Sequence, residues 1–192
     1  MPENVEIERR FLVDGRFERP WVHESTECIE IKQWYLDHKE FDVSIEHNAV
    51  MYKKKQLVSG LSQEICSTLL LEPDWTVRIR KSHSAYVLTL KGSRKGASAA
   101  EFEWEIERET AESVIDDLLY PFVEKKRYLW TNTDGFVWEI DEFESNLAGL
   151  IIAEVELEDE DVAVEIPPWA GMELTYLRGW SNASLARMLT RQ

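Results

Sequence analysis

Apolar and polar residues alternate with a period of two along most of this chain, the pattern of strands that bury one face. Eight segments carry it: Val5–Val13, Ile29–Leu36, Trp75–Lys81, Ala85–Lys91, Glu101–Arg108, Glu124–Thr131, Phe136–Phe143 and Leu150–Glu158. They are rich in Val, Ile, Trp, Tyr and Phe, and turn residues such as Lys91-Gly92-Ser93 and Thr133-Asp134-Gly135 separate several of them. The helical period shows in few places. Thr110 is placed to cap a helix over Ala111–Tyr120, with Val114, Ile115, Leu118 and Leu119 as its stripe and Pro121 as its stop. Ser181 or Asn182 caps a second, Ala183–Thr190, and a third is predicted over Ser62–Leu71. Asp37–Gly60 mixes charges with the run Lys53-Lys54-Lys55 and no clean period, so it reads as loop or added structure. The fold class is mainly β, antiparallel, with a few peripheral helices.

The polar face of these strands is unusual in what it carries. Glu6, Glu8 and Arg10 share a face, although Arg9 interrupts the apolar side. Arg78 and Arg80 oppose Val77 and Ile79; Thr89 and Lys91 oppose Leu88 and Leu90. Glu101, Glu103 and Glu105 oppose Phe102, Trp104 and Ile106. Lys125 and Arg127 share a face, Glu139 and Asp141 oppose Trp138 and Ile140, and Glu154, Glu156 and Glu158 oppose Val155 and Leu157. One such strand is an ordinary solvated face. Across the set, however, charge is sorted strand by strand, whereas a soluble surface intersperses its signs. Arg also recurs where Lys would serve solubility equally, and Arg suits planar recognition of phosphate. If the sheet closes into a barrel, one face of every strand points inward. Basic strands would then line one wall and hold a polyanion, while carboxylates on another would hold hard cations such as Mg²⁺ or Mn²⁺.

The 192 residues suggest a single domain, 1–192. With 37 acids against 22 Lys and Arg, the net charge is −15, which disfavours a long nucleic acid as partner. It leaves room for a small polyanion in an internal basic site. Cys28 and Cys66 sit in no CxxC and are too few for a disulfide framework, so they read as free thiols in a reducing compartment. No apolar leader or run of about 18 apolar residues appears, so neither membrane insertion nor export is expected and the location reads as cytoplasmic. His23, His38, His47 and His83 match no metal spacing and are assigned no chemistry. The acid run Glu158–Asp161 reads as a solvated turn.

Several ordered motifs resemble the CYTH domain, or triphosphate tunnel metalloenzymes. Glu6-Ile7-Glu8-Arg9-Arg10 resembles the N-terminal ExExK signature, and Ile31-Lys32-Gln33-Trp34-Tyr35-Leu36 the IxQxYL strand. Val77-Arg78-Ile79-Arg80 resembles VRxR, Leu88-Thr89-Leu90-Lys91 LTxK, and Glu101-Phe102-Glu103-Trp104-Glu105-Ile106 ExExEI. Lys125-Lys126-Arg127-Tyr128, Glu139-Ile140-Asp141-Glu142-Phe143 and Ala153-Glu154-Val155-Glu156-Leu157 resemble KxRY, ExDxF and AExEL. The ending, Trp169-Ala170-Gly171-Met172-Glu173-Leu174-Thr175 followed by Ser181-Asn182-Ala183-Ser184-Leu185, is similar to the tail of bacterial members.

The resemblance implies a closed eight-stranded antiparallel barrel, a charged tunnel and divalent-metal-dependent chemistry on a bound triphosphate. It implies that Arg10, Arg78, Arg80, Lys91, Lys125 and Arg127 bind phosphate oxygens. Glu6, Glu8, Glu103, Glu105, Asp141, Glu154 and Glu156 are then the metal ligands, with Glu6, Glu8 and Arg10 nearest the catalytic step; Glu101 and Glu139 rank lower. The chain departs from the pattern at Arg10, where the signature has Lys, and at Trp34, where Gly is common. Arg178 is offset by one from the family's tail arginine, and residues 37–74 form an insertion. The implied activity is a triphosphatase acting on inorganic triphosphate with Mg²⁺ or Mn²⁺. The alternatives are a class IV-type adenylate cyclase, a nucleoside or thiamine triphosphatase, or a non-catalytic polyphosphate or nucleotide-binding module. Oligomeric state is not legible in the residues; a homodimer is the family-level expectation.

Overall fold

The structure is a computed structural model that describes residues 5–189, apart from the side chain of Arg178. Its strands are β1 (Val5–Val13), β2 (Glu27–Leu36), β3 (Phe41–Ser44), β4 (Ala49–Tyr52), β5 (Lys55–Val58), β6 (Thr76–Ser82), β7 (Ala85–Lys91), β8 (Ser98–Ile106), β9 (Phe122–Thr131), β10 (Val137–Phe143), β11 (Ile151–Glu156) and β12 (Ala170–Glu173). The α-helices are α1 (Trp21–Glu24), α2 (Gln63–Leu71), α3 (Arg108–Glu112) and α4 (Asn182–Leu189). Eight strands close a ring in the order β1-β11-β10-β9-β2-β6-β7-β8 and back to β1, with every pairing antiparallel. These are the eight segments whose alternation marked them, with ends displaced by at most a few residues.

Two strands share one edge of β1. β8 pairs with its start (Glu6↔Ala99), and β12 takes over near its end (Phe11↔Glu173). Gly171 makes the β12 approach possible, because a Cβ there would lie 2.6 Å from the Leu12 carbonyl oxygen. Outside the ring, Arg9 donates to both oxygens of Glu173, at 2.9 and 2.8 Å, and ties the two strands together. This is the use of the residue that breaks the apolar parity of β1.

The charged strand faces point into the ring, so the apolar faces point out and need covering. On one flank Val77, Ile79, Leu88, Leu90, Phe102 and Ile106 pack beneath Val50, Tyr52, Leu57, Cys66 and Leu69. The cover is a three-stranded β3-β4-β5 sheet and α2, whose Ser62 cap accepts a hydrogen bond from the Ile65 amide at 3.1 Å. The stretch Asp37–Gly60 therefore contains a meander. Its strands are four residues long, too short to show a period. On the opposite flank, Trp21, Trp130 and Trp138 meet Trp169 edge-on, with ring centroids 5.0 to 5.6 Å apart.

At one end the inward face turns apolar. Tyr35, Val123, Phe143 and Ile152 pack with Leu174 and with Leu185 and Ala186 of α4, which stops this end. Ser181 caps α4 by accepting from the Ser184 amide at 3.1 Å; Thr190 lies outside the described residues.

The predicted helix Ala111–Tyr120 is corrected. The helix there is α3, five residues long, and it ends at Glu112. Asp116 Oδ1 accepts from the Leu118 amide at 2.8 Å, a local turn that competes with helix continuation. Val114 and Ile115 still reach the core, while Leu118 and Leu119 are exposed.

Candidate functional site

Strand parity fixes what enters the barrel. β1 contributes Glu6, Glu8 and Arg10; β6, Arg78 and Arg80; β7, Thr89 and Lys91; β8, Glu101, Glu103 and Glu105. β9 contributes Lys125 and Arg127; β10, Glu139 and Asp141; β11, Glu154 and Glu156. Cross-strand register then sets acids against a base and against one another. Arg10 and Glu154 are directly opposite in the β1–β11 ladder, as are Glu8 and Glu156, and Glu139 faces Glu154 across β10–β11.

Arg10 donates to Glu154 at 2.5 Å and to Glu8 at 2.7 Å. Arg127 forks onto Asp141 with two bonds of 2.7 Å, and also reaches Glu139 and, at 3.2 Å, Glu154. Lys125, fully buried, contacts Asp141. Lys91 contacts Glu6 and lies 3.1 Å from Glu101. Arg78 bonds Thr89 at 3.0 Å and Glu103 at 3.1 Å, and Arg80 also reaches Glu103 at 3.3 Å. Each of the six predicted phosphate-contacting cations is thus inside the ring, and each is held by a carboxylate.

Electrostatics follow from this crowding. Burial raises Glu6, Glu8 and Glu139 above the usual carboxylate range, and neighbouring carboxylates add to the effect. Glu156 stands at the open end and still meets solvent. Its partial desolvation, with Glu139, Glu6 and Glu8 around it, pushes it up to about 7. Glu154 goes the other way: burial would raise it, but Arg10, Arg127 and Lys125 hold it well below the usual range. Burial and then Arg127 bring Lys125 down to about 8, against the pull of Asp141 and Glu154. For Arg10, burial opposes the charge and loses to Glu154 and Glu8, so the guanidinium is held more firmly protonated than usual.

Of the predicted carboxylates, Glu6, Glu8, Glu103, Asp141 and Glu154 join this lattice. Glu105 shares their parity but is exposed near the open end, beyond reach of the cations. Glu101 and Glu139, ranked lower from their place near strand ends, are full members of the lattice, because β8 begins at Ser98 and so holds Glu101 within the strand opposite Lys91, and Glu139 meets Arg127 of the neighbouring β9. One participant carries no alternation signal. Arg94, in the β7–β8 connection, contacts Glu8. The two tryptophans considered for stacking on a substrate ring take packing roles. Trp34 is buried on the outer face, its indole N–H bonded to Asp117 at 2.6 Å, and Trp180 packs at the α4 end.

The donor set suits a divalent metal by its chemistry. It is all carboxylate oxygen, the preference of hard cations. Cross-strand pairs such as Glu8/Glu156 and Glu139/Glu154 leave negative charge that Arg and Lys only partly offset. Among the described residues no group of three or more His, Cys, Asp or Glu is already gathered at metal spacing, since the carboxylates turn to the barrel's own cations. A cavity of about 660 Å³ lies outside this lattice, at the α4 end, lined in part by His38, Glu40, Lys53, Asp74 and Tyr120. No helix of the described residues is long and apolar enough to cross a membrane.

The CYTH domain profile matches residues 68–187. The chain is 37% identical over 120 residues to an inorganic triphosphatase of Acetivibrio thermocellus, spanning 62% of this chain and 76% of that one. It is 36% identical over 112 residues to an inorganic triphosphatase of Nitrosomonas europaea, spanning 57% and 74%. The crystal structure of the inorganic triphosphatase NE1496 superposes with a TM-score of 0.57 at 27% identity, covering 94% of this chain and 93% of that one.

Proposed function

Since the chain belongs to the CYTH domain family, a membership that its profile match and its relatives establish, we propose that it is a metal-dependent hydrolase of phosphoanhydride bonds that acts on inorganic triphosphate. The observation that carries this reading is the convergence of Arg10, Arg78, Arg80, Lys91, Lys125 and Arg127 on one enclosed interior. Six cations suit a tripolyphosphate with about four or five negative charges, and contacts inside a barrel are stronger than at a surface.

In this reading the cations exchange their carboxylate partners for phosphate oxygens and align the chain of phosphates. Glu6, Glu8, Glu103, Glu105, Asp141, Glu154 and Glu156 hold Mg²⁺ or Mn²⁺, directly or through water. When bound, the divalent ion supplies charge neutralisation and a water of lowered pKa for in-line attack on a terminal phosphorus. Arg10 acts as a clamp rather than a base, because a guanidinium flanked by Glu154 and Glu8 keeps its proton. Glu8, adjacent to Arg10 on the same face, orients the reacting centre. This reading sets the reacting centre beside the β1–β11 ladder.

The same reading gives a small-molecule triphosphate as partner, with no long nucleic acid and no membrane, and a cytoplasmic homodimer. Free thiols at Cys28 and Cys66 fit a reducing compartment. The test is phosphate release from tripolyphosphate, ATP and thiamine triphosphate, each with Mg²⁺, Mn²⁺ or chelator. Metal-dependent release that is fastest from tripolyphosphate is expected. Preference for ATP would favour a nucleotide enzyme, and binding without release would favour a polyphosphate-binding module.

A further inference from the structure

Three cations meet at one oxygen. Glu8 Oε1 accepts from Arg10 at 2.7 Å, contacts Arg94, and lies 3.8 Å from Lys91. One carboxylate is thus shared among three cations, in a corner where Glu6, Glu101 and Glu154 also stand. Arg10 and Lys91 have further acids of their own, Glu154 for one and Glu6 and Glu101 for the other. Arg94 has none. Its Nη1 is buried and has no hydrogen-bond partner, and Arg78 Nε in the same lattice is in the same condition. Buried, unpaired N–H groups on guanidinium forks are costly unless an acceptor arrives.

Arg94 is not on a barrel strand, yet its backbone is fixed. The connection that carries it is a tight hairpin, with Lys95 N bonded to Ser98 O at 2.8 Å. Ala97 O accepts from the Glu8 amide at 3.3 Å, which lays the connection along β1. From the far side comes Glu160, a member of the acid run read as a solvated turn. Its Oε1 accepts from the Ala97 amide at 3.2 Å and from Ser98 Oγ at 2.8 Å. Gly96 permits the approach, because a Cβ there would sit 3.0 Å from that oxygen and its φ is +65°.

We propose that Arg94 is a further substrate-binding residue, which takes a phosphate oxygen on its unpaired Nη1 edge, and that Glu160 is the positioning residue that holds its loop. The inference rests on the triphosphate reading above and specifies one more contact of that site.

The test is calorimetric titration of tripolyphosphate into the chelator-treated protein, where binding is read without turnover. Arg94→Ala is expected to weaken the dissociation constant about tenfold, and Arg94→Lys by less, because an ammonium keeps the charge but loses the fork. Glu160→Ala is expected to weaken it severalfold, whereas Glu160→Gln, which keeps an acceptor oxygen, stays within about threefold. The double variant Arg94→Ala/Glu160→Ala should bind no worse than Arg94→Ala alone, since Glu160 acts only through Arg94. A loop with a purely structural role would lower thermal stability and leave the dissociation constant of folded Arg94→Ala unchanged, and that result overturns the proposal. If the unmodified protein neither binds nor hydrolyses tripolyphosphate, the functional reading falls and this one with it. Binding by the unmodified protein that Arg94→Ala and Arg94→Lys both match overturns this inference alone.

Discussion

Arg10 and Glu154 face each other across the β1–β11 ladder, and Arg10 Nε donates to Glu154 Oε1 at 2.5 Å. A second bond from the same guanidinium holds Glu8 at 2.7 Å, so the fork spans two carboxylates that repel each other. A lysine ammonium is a point charge and reaches both less well. If Arg10 is a clamp, Arg10→Lys should cost at most about tenfold in kcat/KM, which is about 1.4 kcal/mol. Arg10→Ala should cost clearly more, because phosphate charge and two buried carboxylates are left uncompensated. Steady-state kinetics on tripolyphosphate decide this. A large gain in kcat for Arg10→Lys would show that the position needs a group able to release a proton.

Glu8 is 4% exposed and anchors three cations. Glu8→Gln keeps the volume and one acceptor oxygen, so the barrel should stay closed, with an unchanged far-UV circular dichroism spectrum. Turnover should fall by at least about a hundredfold, because in the proposed site the change removes one metal-ligand charge from an enclosed interior. Unaltered metal-dependent activity would remove Glu8 from the reaction.

Ligand-linked stabilisation should distinguish chain length. In the proposed site tripolyphosphate would engage cations on several barrel strands at once and orthophosphate few, and stabilisation follows affinity for the folded state. In a thermal melt, tripolyphosphate at about a hundredfold excess over its dissociation constant should stabilise by about 2.7 kcal/mol. Orthophosphate at the same concentration should shift the melting temperature far less. Equal shifts would contradict a site built for three linked phosphates.

The Arg9–Glu173 fork outside the ring yields a pH prediction. Hydrogen bonds from Arg9 hold the Glu173 carboxyl below its ordinary value of 4.5. A carboxyl with a lower pKa in the folded state adds stability above its unfolded pKa, and that stability is lost as the pH falls through the folded value. Glu173→Gln should therefore lower the melting temperature modestly at pH about 7, consistent with about 0.5 to 1 kcal/mol for a partly exposed pair. The gap from the unmodified protein should close as the pH falls below 4.5 and through the lowered folded value. A gap that persists undiminished in acid would assign the stabilisation to packing on Phe11, whose ring centroid lies 5.2 Å from the Arg9 guanidinium.

The sequence by itself determined the eight barrel strands and which side of each is charged. Side-chain direction along a strand is a local property of the backbone, so Glu6, Glu8 and Arg10, or Arg78 and Arg80, had to share a face wherever their strands went. It also placed the helices at α2 and α4, and of the two caps it offered for α4 the structure uses Ser181, as it uses Ser62 for α2. Only the tertiary structure decided who meets whom. Register across the β1–β11 and β10–β11 ladders puts Glu154 between Arg10 and Glu139, and pairing with the neighbouring strands sets Glu101 beside Lys91 and Glu139 beside Arg127. Burial turned a stretch without period into the β3-β4-β5 cover, because the outward apolar faces of β6, β7 and β8 needed one. The apolar stripe ran on past the end of α3 at Glu112 into a separate turn that Asp116 makes with the Leu118 amide. Arg94 and Glu160 lie in turns, where no period exists to read, and they approach the barrel through contacts between residues far apart in the chain. Such contacts depend on pairing and closure, which no local pattern encodes.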